Sequence, residues 1–127
     1  MDKIRKIHNE PVKDLIAGIK LYIEDTEFNI KEMKIEIGAP ISIDKVFFCH
    51  YTIEIIGSDD RKFISRGPSA GENSLQALCL ALMGTRQGAI NYVNKNNVKL
   101  LFGEADEREY ITLDDLEKIM FVHNYEE

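Results

Sequence analysis

The run from Val46 to Ile56 reads Val-Phe-Phe-Cys-His-Tyr-Thr-Ile-Glu-Ile-Ile, and it decides the fold. β-Branched and aromatic residues dominate it, which is typical of a strand in a sheet. Successive side chains of a strand point to opposite faces, so the run has two faces. We predict that the face with Cys49 points into the core and that the other face is exposed. The exposed face would carry Phe48, His50, Thr52 and Glu54.

Shorter runs on both sides of this stretch alternate apolar and polar residues, the pattern of half-buried strands. We predict such strands over residues 19–24, 30–37, 61–66 and 98–102. Glycine, serine and aspartate at 57–60 indicate a hairpin turn. Near the N-terminus, proline suits the first turn of a helix. Pro11 therefore predicts a short helix with Val12, Leu15 and Ile16 on one face.

After a break at residues 67–71, the sequence predicts a helix over about 73–93. Asn73 is a good N-cap, and Gln76 three residues later completes a capping box. The helix is expected to bury an apolar stripe at helical spacing. This stripe would consist of Leu75, Leu78, Cys79 and Leu82. Gly84 and Gly88 predict a bend or an early stop.

The fold class predicted from these elements is α+β, because the strands come first and parallel βαβ units are absent. We expect an antiparallel β-meander of four to five strands, with one face packed by the central helix (about 73–93). A second capping box, Thr112 with Asp115, predicts a short C-terminal helix (about 113–121). The length of 127 residues favours a single domain. It would comprise an N-terminal extension or short helix (1–17), a sheet–helix core (18–102) and an acidic C-terminal helix and tail (103–127).

Two motifs over about residues 37–93 resemble a family of small bacterial domains of unknown function. One is Cys-x-Tyr-x-Ile at Cys49, Tyr51 and Ile53, preceded by a strand that ends in Gly38-x-Pro40. The other is Gly-x-Asp-x-x-Gln-Ala-Leu, with asparagine in place of the aspartate. Its residues here are Gly71, Asn73, Gln76, Ala77, Leu78, Leu80, Ala81 and Leu82. The resemblance implies a strand–strand–helix core and no established activity.

Composition excludes several classes of protein. The net charge of −6 argues against a general nucleic-acid binder, which needs a cationic surface. We find no apolar run long enough for a membrane span and no signal peptide, and we expect a cytoplasmic protein. The two cysteines, 30 residues apart, do not indicate a disulfide scaffold. Fingerprints of nucleotide-binding loops, hydrolase elbows and zinc proteases are also absent. We therefore predict no catalytic residue, no cofactor and no metal site.

The charge is concentrated at the C-terminal end. Residues 104–127 hold nine acids and two bases, a net charge of −7, whereas the rest of the chain has a net charge of +1. Dense acidic patches meet basic partners quickly and specifically. The sequence thus favours an immunity-like or regulatory protein that binds a basic protein, although a run of acids also serves solubility alone. The candidate partner-binding residues are Glu104, Asp106, Glu107, Glu109, Asp114 and Asp115.

The alternative is a homo-oligomeric, small-ligand-binding domain. It would use the exposed face of Phe48, His50, Thr52 and Glu54 as a ligand or dimer surface. Two further hypotheses rank below it. The loop Gly67–Gly71 precedes a helix N-terminus and could hold an anion. Cys49 and His50 could join Cys79 at a metal, but neighbours on a strand point to opposite faces. We expect both cysteines to be small core residues instead.

Overall fold

The computed structural model describes residues 12–104 and 106–120. Within these ranges the chain forms nine strands and two helices. In chain order they are β1 (Leu15–Glu24), β2 (Ile30–Gly38), β3 (Ile41–Ile43), β4 (Val46–Cys49), β5 (Tyr51–Ile56), β6 (Arg61–Arg66), β7 (Ser69–Gly71), α1 (Ser74–Asn96), β8 (Lys99–Phe102), β9 (Glu109–Ile111) and α2 (Leu113–Met120). The predicted α+β class is confirmed.

The main sheet is antiparallel and has six strands in the order β6-β5-β2-β1-β8-β9. The first four form the predicted meander, and β8 and β9 extend it beyond β1. Glu32, Lys34 and Glu36 alternate with Met33, Ile35 and Ile37 along β2, and only the second set is buried. One face of the sheet is therefore polar, and the other faces the core.

The central run does not form one strand, as predicted, but two. Val46–Cys49 pairs with β3 and β7 in a separate three-stranded sheet, whereas Tyr51–Ile56 lies between β2 and β6 in the main sheet. The run changes sheet at His50, whose carbonyl accepts a hydrogen bond from the Gly38 amide at 2.9 Å. The stretch predicted to be a break between elements contains a strand, β7. This strand forms because it pairs with β4.

Helix α1 covers the core face of the main sheet, as predicted, but it buries a different stripe. The fully buried positions are Ala77, Ala81, Thr85 and Ala89. Leu78 and Leu82 are half-buried, whereas Leu75 and Cys79 are exposed, so the prediction for those two residues is wrong. Small side chains at spacing i, i+4 let the helix approach the sheet closely, and apolar residues of the strands fill the space between them.

This close approach explains the two glycines inside α1. A Cβ at Gly88 would lie 2.8 Å from Cδ1 of Ile53, and one at Gly84 would lie 3.0 Å from the hydroxyl of Tyr51. The helix runs unbroken through both residues, so an early stop at either of them is wrong. It ends at Asn97, which adopts a left-handed conformation with φ of 52°. Such a residue is a common C-terminal cap.

The ends of the described chain also differ from prediction. Leu15 and Ile16 begin β1 rather than lying on a helix, and Pro11 is outside the described residues. The C-terminal helix forms with the predicted capping box, and Leu116 anchors it in the main core beside Ala89. Its predicted last residue, Phe121, is outside the described range. No helix within residues 12–104 and 106–120 has the length and apolar character needed to cross a membrane.

Candidate functional site

The predicted acidic residues lie on one continuous segment at the end of the main sheet. Glu104, Asp106 and Glu107 belong to the loop between β8 and β9, and the Glu107 amide donates to the Glu104 carbonyl at 2.8 Å. Glu109 is in β9, and Asp114 is in the first turn of α2. These five side chains are exposed. We call them the acidic surface.

Asp115, the sixth predicted residue, has a different role. Its carboxylate accepts a hydrogen bond from the Thr112 amide at 3.0 Å, and the Thr112 hydroxyl accepts one from the Asp115 amide at 3.1 Å. This reciprocal pair is the capping box of α2. The hydrogen bond from the Thr112 amide stabilises the charged carboxylate and lowers the pKa of Asp115. Asp115 is thus committed to holding the helix, so we do not count it in the acidic surface.

The acidic surface is folded against the domain. β8 pairs with β1, β9 pairs with β8, and the guanidinium of Arg108 lies 3.8 Å from the ring centroid of Tyr22 in β1. The hydroxyl of Tyr110 donates to a carboxylate oxygen of Glu24 at 3.0 Å. A cation over an aromatic ring and a hydrogen bond across strands both restrict the hairpin. The sequence did not decide whether this segment packs against the domain, and the structure shows that it does.

The carboxylates of the acidic surface lie outside the ion pairs formed among the described residues. Within the described parts of the chain, the ion pairs are Lys20–Glu32, Lys34–Glu36 and Arg61–Glu54, all on the polar face of the main sheet. None of these pairs includes a residue of the acidic surface. Residues 104–114 hold these five acids and one base, Arg108, so this stretch has a net negative charge.

The alternative surface predicted from the central run is not exposed. The relative exposures of Phe48, His50, Thr52 and Glu54 are 9%, 8%, 4% and 9%. Glu54 accepts two hydrogen bonds from the guanidinium of Arg61, both at 3.0 Å. The prediction of an exposed face is wrong: the run changes sheet at His50 and so does not present one continuous face, and Arg61 binds the Glu54 carboxylate.

The two cysteines lie in different environments. Cys49 is fully buried, and its thiol donates to the Gly38 carbonyl at 3.2 Å. Burial disfavours the thiolate and raises the pKa of Cys49 to about 11. Cys79 is exposed on α1, so it is not the core residue that was predicted. No group of three histidine, cysteine, aspartate or glutamate side chains placed to share a metal ion occurs among residues 12–104 and 106–120.

Sequence reasoning missed a groove between the edge strand β6 and the second half of α1. It has a volume of about 420 Å³. Its lining includes Lys62 and Lys95, together with Ser65, Asn91 and Tyr92. No carboxylate belongs to this lining, which consists of described residues only. Lys62 and Lys95 are far apart in the sequence. The pairing of β6 with β5 and the path of α1 bring them together in the fold.

A family model describing a domain of unknown function, DUF6968, matches residues 20–110. This range covers most of the chain. The chain belongs to the DUF6968 family. The match extends the resemblance seen over 37–93 at both ends, so that it includes the second half of β1, all of β8 and part of β9. No curated protein and no solved structure matches the chain.

In this DUF6968 domain, the residues that carried the resemblance have structural tasks. Asn73 caps α1 by accepting a hydrogen bond from the Gln76 amide at 2.8 Å, and the Gln76 side chain accepts one from the Glu72 amide at 2.6 Å. A Cβ at Gly71 would lie 2.6 Å from the amide nitrogen of Ala77. These contacts join β7 to the start of the helix.

The same contacts argue against the predicted anion site in the loop Gly67–Gly71. The amides of Glu72 and Gln76 already donate to side chains, and Ser69 donates its hydroxyl to the Ala77 carbonyl at 2.7 Å. An anion-binding helix N-terminus needs free amide donors. We therefore do not propose an anion site at this position of the DUF6968 domain.

Proposed function

We propose that this protein is a non-catalytic protein-binding protein, of an immunity-like or regulatory kind, whose acidic surface meets a basic partner protein. The observation that carries the proposal is the set of five exposed carboxylates that take part in no ion pair among the described residues, four of them in a hairpin that packs against the domain. A rigid surface of one sign loses little conformational entropy on binding and steers an oppositely charged partner.

The proposal places the protein in the cytoplasm, where free thiols are maintained. Both cysteines are free. Cys49 is buried in a strand, whereas Cys79 is exposed on a helix face. A partner of the acidic surface would present lysines and arginines, and complex formation would weaken as salt screens both surfaces.

The test compares two triple variants with the same total charge. In the first, Glu104, Glu107 and Glu109 of the acidic surface become lysine. In the second, the control, Glu27, Asp59 and Glu72 become lysine; these residues are exposed but lie outside the acidic surface. Each triple changes the net charge of −6 by six units, to zero, so a difference between them reports position and not total charge.

Tagged wild type and both triples are incubated at low salt with a lysate of the organism that makes the protein, and bound proteins are eluted with rising salt. We expect a stoichiometric basic protein to be retained by the wild type and the control triple and lost by the acidic-surface triple. Recovery of no such protein, or equal loss with both triples, would refute the proposal.

A second candidate function is the binding of a small anionic ligand in the groove between β6 and α1. Two lysines and no carboxylate line this groove, and its volume of about 420 Å³ falls in the range of small-molecule sites. We expect a ligand that carries a carboxylate or phosphate to raise the melting temperature.

The test is a thermal-shift screen of such metabolites on the wild type and on a double variant with Lys62→Gln and Lys95→Gln. The control variant replaces Lys45 and Lys118, which are exposed outside the groove, by glutamine. A ligand whose shift disappears only in the groove variant supports this function. If no metabolite shifts the wild type, small-ligand binding in the groove is refuted.

A further inference from the structure

The outward side of α1 carries apolar residues that no described part of the chain covers. Leu80 and Met83 are 39% and 59% exposed, and the neighbouring Cys79 is also exposed. α1 presents its alanines to the sheet, so its larger apolar side chains remain outside. Exposed apolar side chains that cluster on one face indicate an interaction surface.

These residues belong to a stripe with coiled-coil spacing. Six positions follow each other at alternating intervals of four and three residues along the outward side of the helix. They are Gln76, Leu80, Met83, Gln87, Ile90 and Asn94, and we call them the outer stripe. Intervals of three and four residues place side chains on a single seam, which is the arrangement that two packed helices share.

The outer stripe contains no charge. All of α1 holds only two charged residues, Arg86 and Lys95, although 30% charged residues over its 23 positions would give about seven. Charged residues are depleted at the centres of protein interfaces. A basic or an acidic partner would find no complementary charge here. The face matches best another neutral, partly apolar helix with the same spacing.

We propose that the outer stripe is a dimer interface and that its occupant is the α1 helix of a second copy of this chain, packed antiparallel about a two-fold axis between Met83 and Gln87. This arrangement sets Leu80 of one copy against Ile90 of the other, and it sets the amide of Gln76 near that of Asn94. The pairing thus sets apolar side chains and neutral amides against each other and brings no like charges together within the outer stripe.

Charge also argues against the parallel arrangement. α2, with Asp114 in its first turn, packs through Leu116 beside Ala89 in the second half of α1. Parallel helices would bring the acidic regions of the two copies side by side, and like charges repel. Antiparallel packing places them at opposite ends of a helix about 34 Å long.

The size of the stripe sets the strength of the dimer. A strip about 34 Å long and 10–12 Å wide covers roughly 400 Å² on each copy. This is about half the area of a standard interface, so we expect a weak, reversible dimer.

The experiment measures the dissociation constant by sedimentation equilibrium on the full chain. Met83→Glu places a charge in the outer stripe of both copies. If each unpaired carboxylate weakens the dimer about tenfold, the two together weaken it about 100-fold. The matched control is Leu75→Glu, since Leu75 is an exposed apolar residue of the same helix (67%) that lies about a quarter turn away from the outer stripe. We expect this control to change the constant less than threefold.

Gln87→Glu keeps the side-chain shape and serves as a second variant, and circular dichroism reports folding of each variant. The proposal is overturned if the wild type stays monomeric up to about 1 mM, in which case the stripe is not a self-interface. It is also overturned if folded Met83→Glu and Gln87→Glu variants dimerise like the wild type.

The orientation has its own measurement. A nitroxide label reacts selectively with exposed Cys79, because Cys49 is buried. Cys79 lies six residues from the proposed axis, so the antiparallel dimer places the two labelled positions about 20 Å apart, whereas a parallel dimer places them about 10 Å apart. A spin–spin distance near the shorter value would refute the antiparallel arrangement.

Discussion

Replacement of Leu116 by alanine tests whether α2, the helix that carries Asp114 of the acidic surface, is docked in the core. Leu116 is fully buried and is the anchor of α2 in the main core. The substitution removes three carbon atoms, which at about 0.8 kcal/mol each gives roughly 2.4 kcal/mol, and the cavity left behind adds to this value. We expect the free energy of unfolding to fall by about 3 kcal/mol, which corresponds to roughly 10 °C in Tm for a chain of this size.

The matched control is Leu75→Ala, which removes the same atoms from an exposed position on α1. Leu75 keeps about two thirds of its surface in water (67% exposed), so its loss is expected to stay below about 1 kcal/mol. Urea denaturation followed by circular dichroism measures both variants. Equal stabilities of the two variants would mean that α2 does not dock, and the reasoning that Asp114 is held in place on the domain would then fail.

Three further predictions follow from individual contacts. Gly71→Ala should lower the free energy of unfolding by about 1–3 kcal/mol, because the new Cβ would lie 2.6 Å from the backbone nitrogen of Ala77. Ser74→Ala, at an exposed position, should change the free energy of unfolding little, and thermal melts compare the two variants. The pKa of Cys49 is raised to about 11, so the folded state retains the thiol proton at pH values where the unfolded state has lost it. The contribution of Cys49 to stability should therefore decline as pH rises from about 9 towards 11. A Cys49→Ala variant should lack this decline, and a wild type whose Tm falls in parallel with that of the variant would contradict the prediction. The pKa of Asp115 is lowered, so its contribution to stability is present above the ordinary value of 3.8 and is lost as pH falls through the lowered value. Asp115→Asn should therefore have a lower Tm than the wild type at pH 7, and the difference in Tm should disappear in acid. A difference in Tm that does not depend on pH would count against the capping role.

Local patterns in the sequence predicted most strands of the main sheet and the starts of both helices. Alternation along β2 identifies a half-buried strand because a sheet with one open face imposes a period of two. Asn73 and Thr112 identify helix starts because their side chains satisfy amides that the helix leaves without a partner. These signals depend on near neighbours, so a single sequence contains them.

The buried stripe of α1 could not be predicted in the same way. The helix has apolar residues on nearly all sides, and the side predicted to be buried holds leucine at three of its four positions. Which side faces the sheet depends on the depth of the space above Tyr51 and Ile53, and that depth is set by strands far away in the sequence. A shallow space selects Ala77, Ala81 and Ala89 over leucine.

The candidate sites divide along the same line. The acidic surface comes from one continuous segment, so its composition was visible, although its docking through Arg108 and Tyr22 was not. The groove joins Lys62 to Lys95 across 33 positions, and only the tertiary structure makes that pair. The change of sheet at His50 was hidden because a run rich in β-branched and aromatic residues favours strand on both sides of the change, whichever sheet it joins.

The proposed dimer and the proposed partner surface have separate energetics, and this makes each testable without the other. The outer stripe and the acidic surface share no residue. A monovalent basic partner should therefore bind wild type and Met83→Glu with the same affinity in solution. A dimer carries two acidic surfaces, so a partner immobilised at high density should retain the wild type longer than Met83→Glu, because the second contact forms at a high effective concentration. A difference in monovalent affinity would show instead that the helix face contacts the partner directly, and the two surfaces would then have to be joined into one.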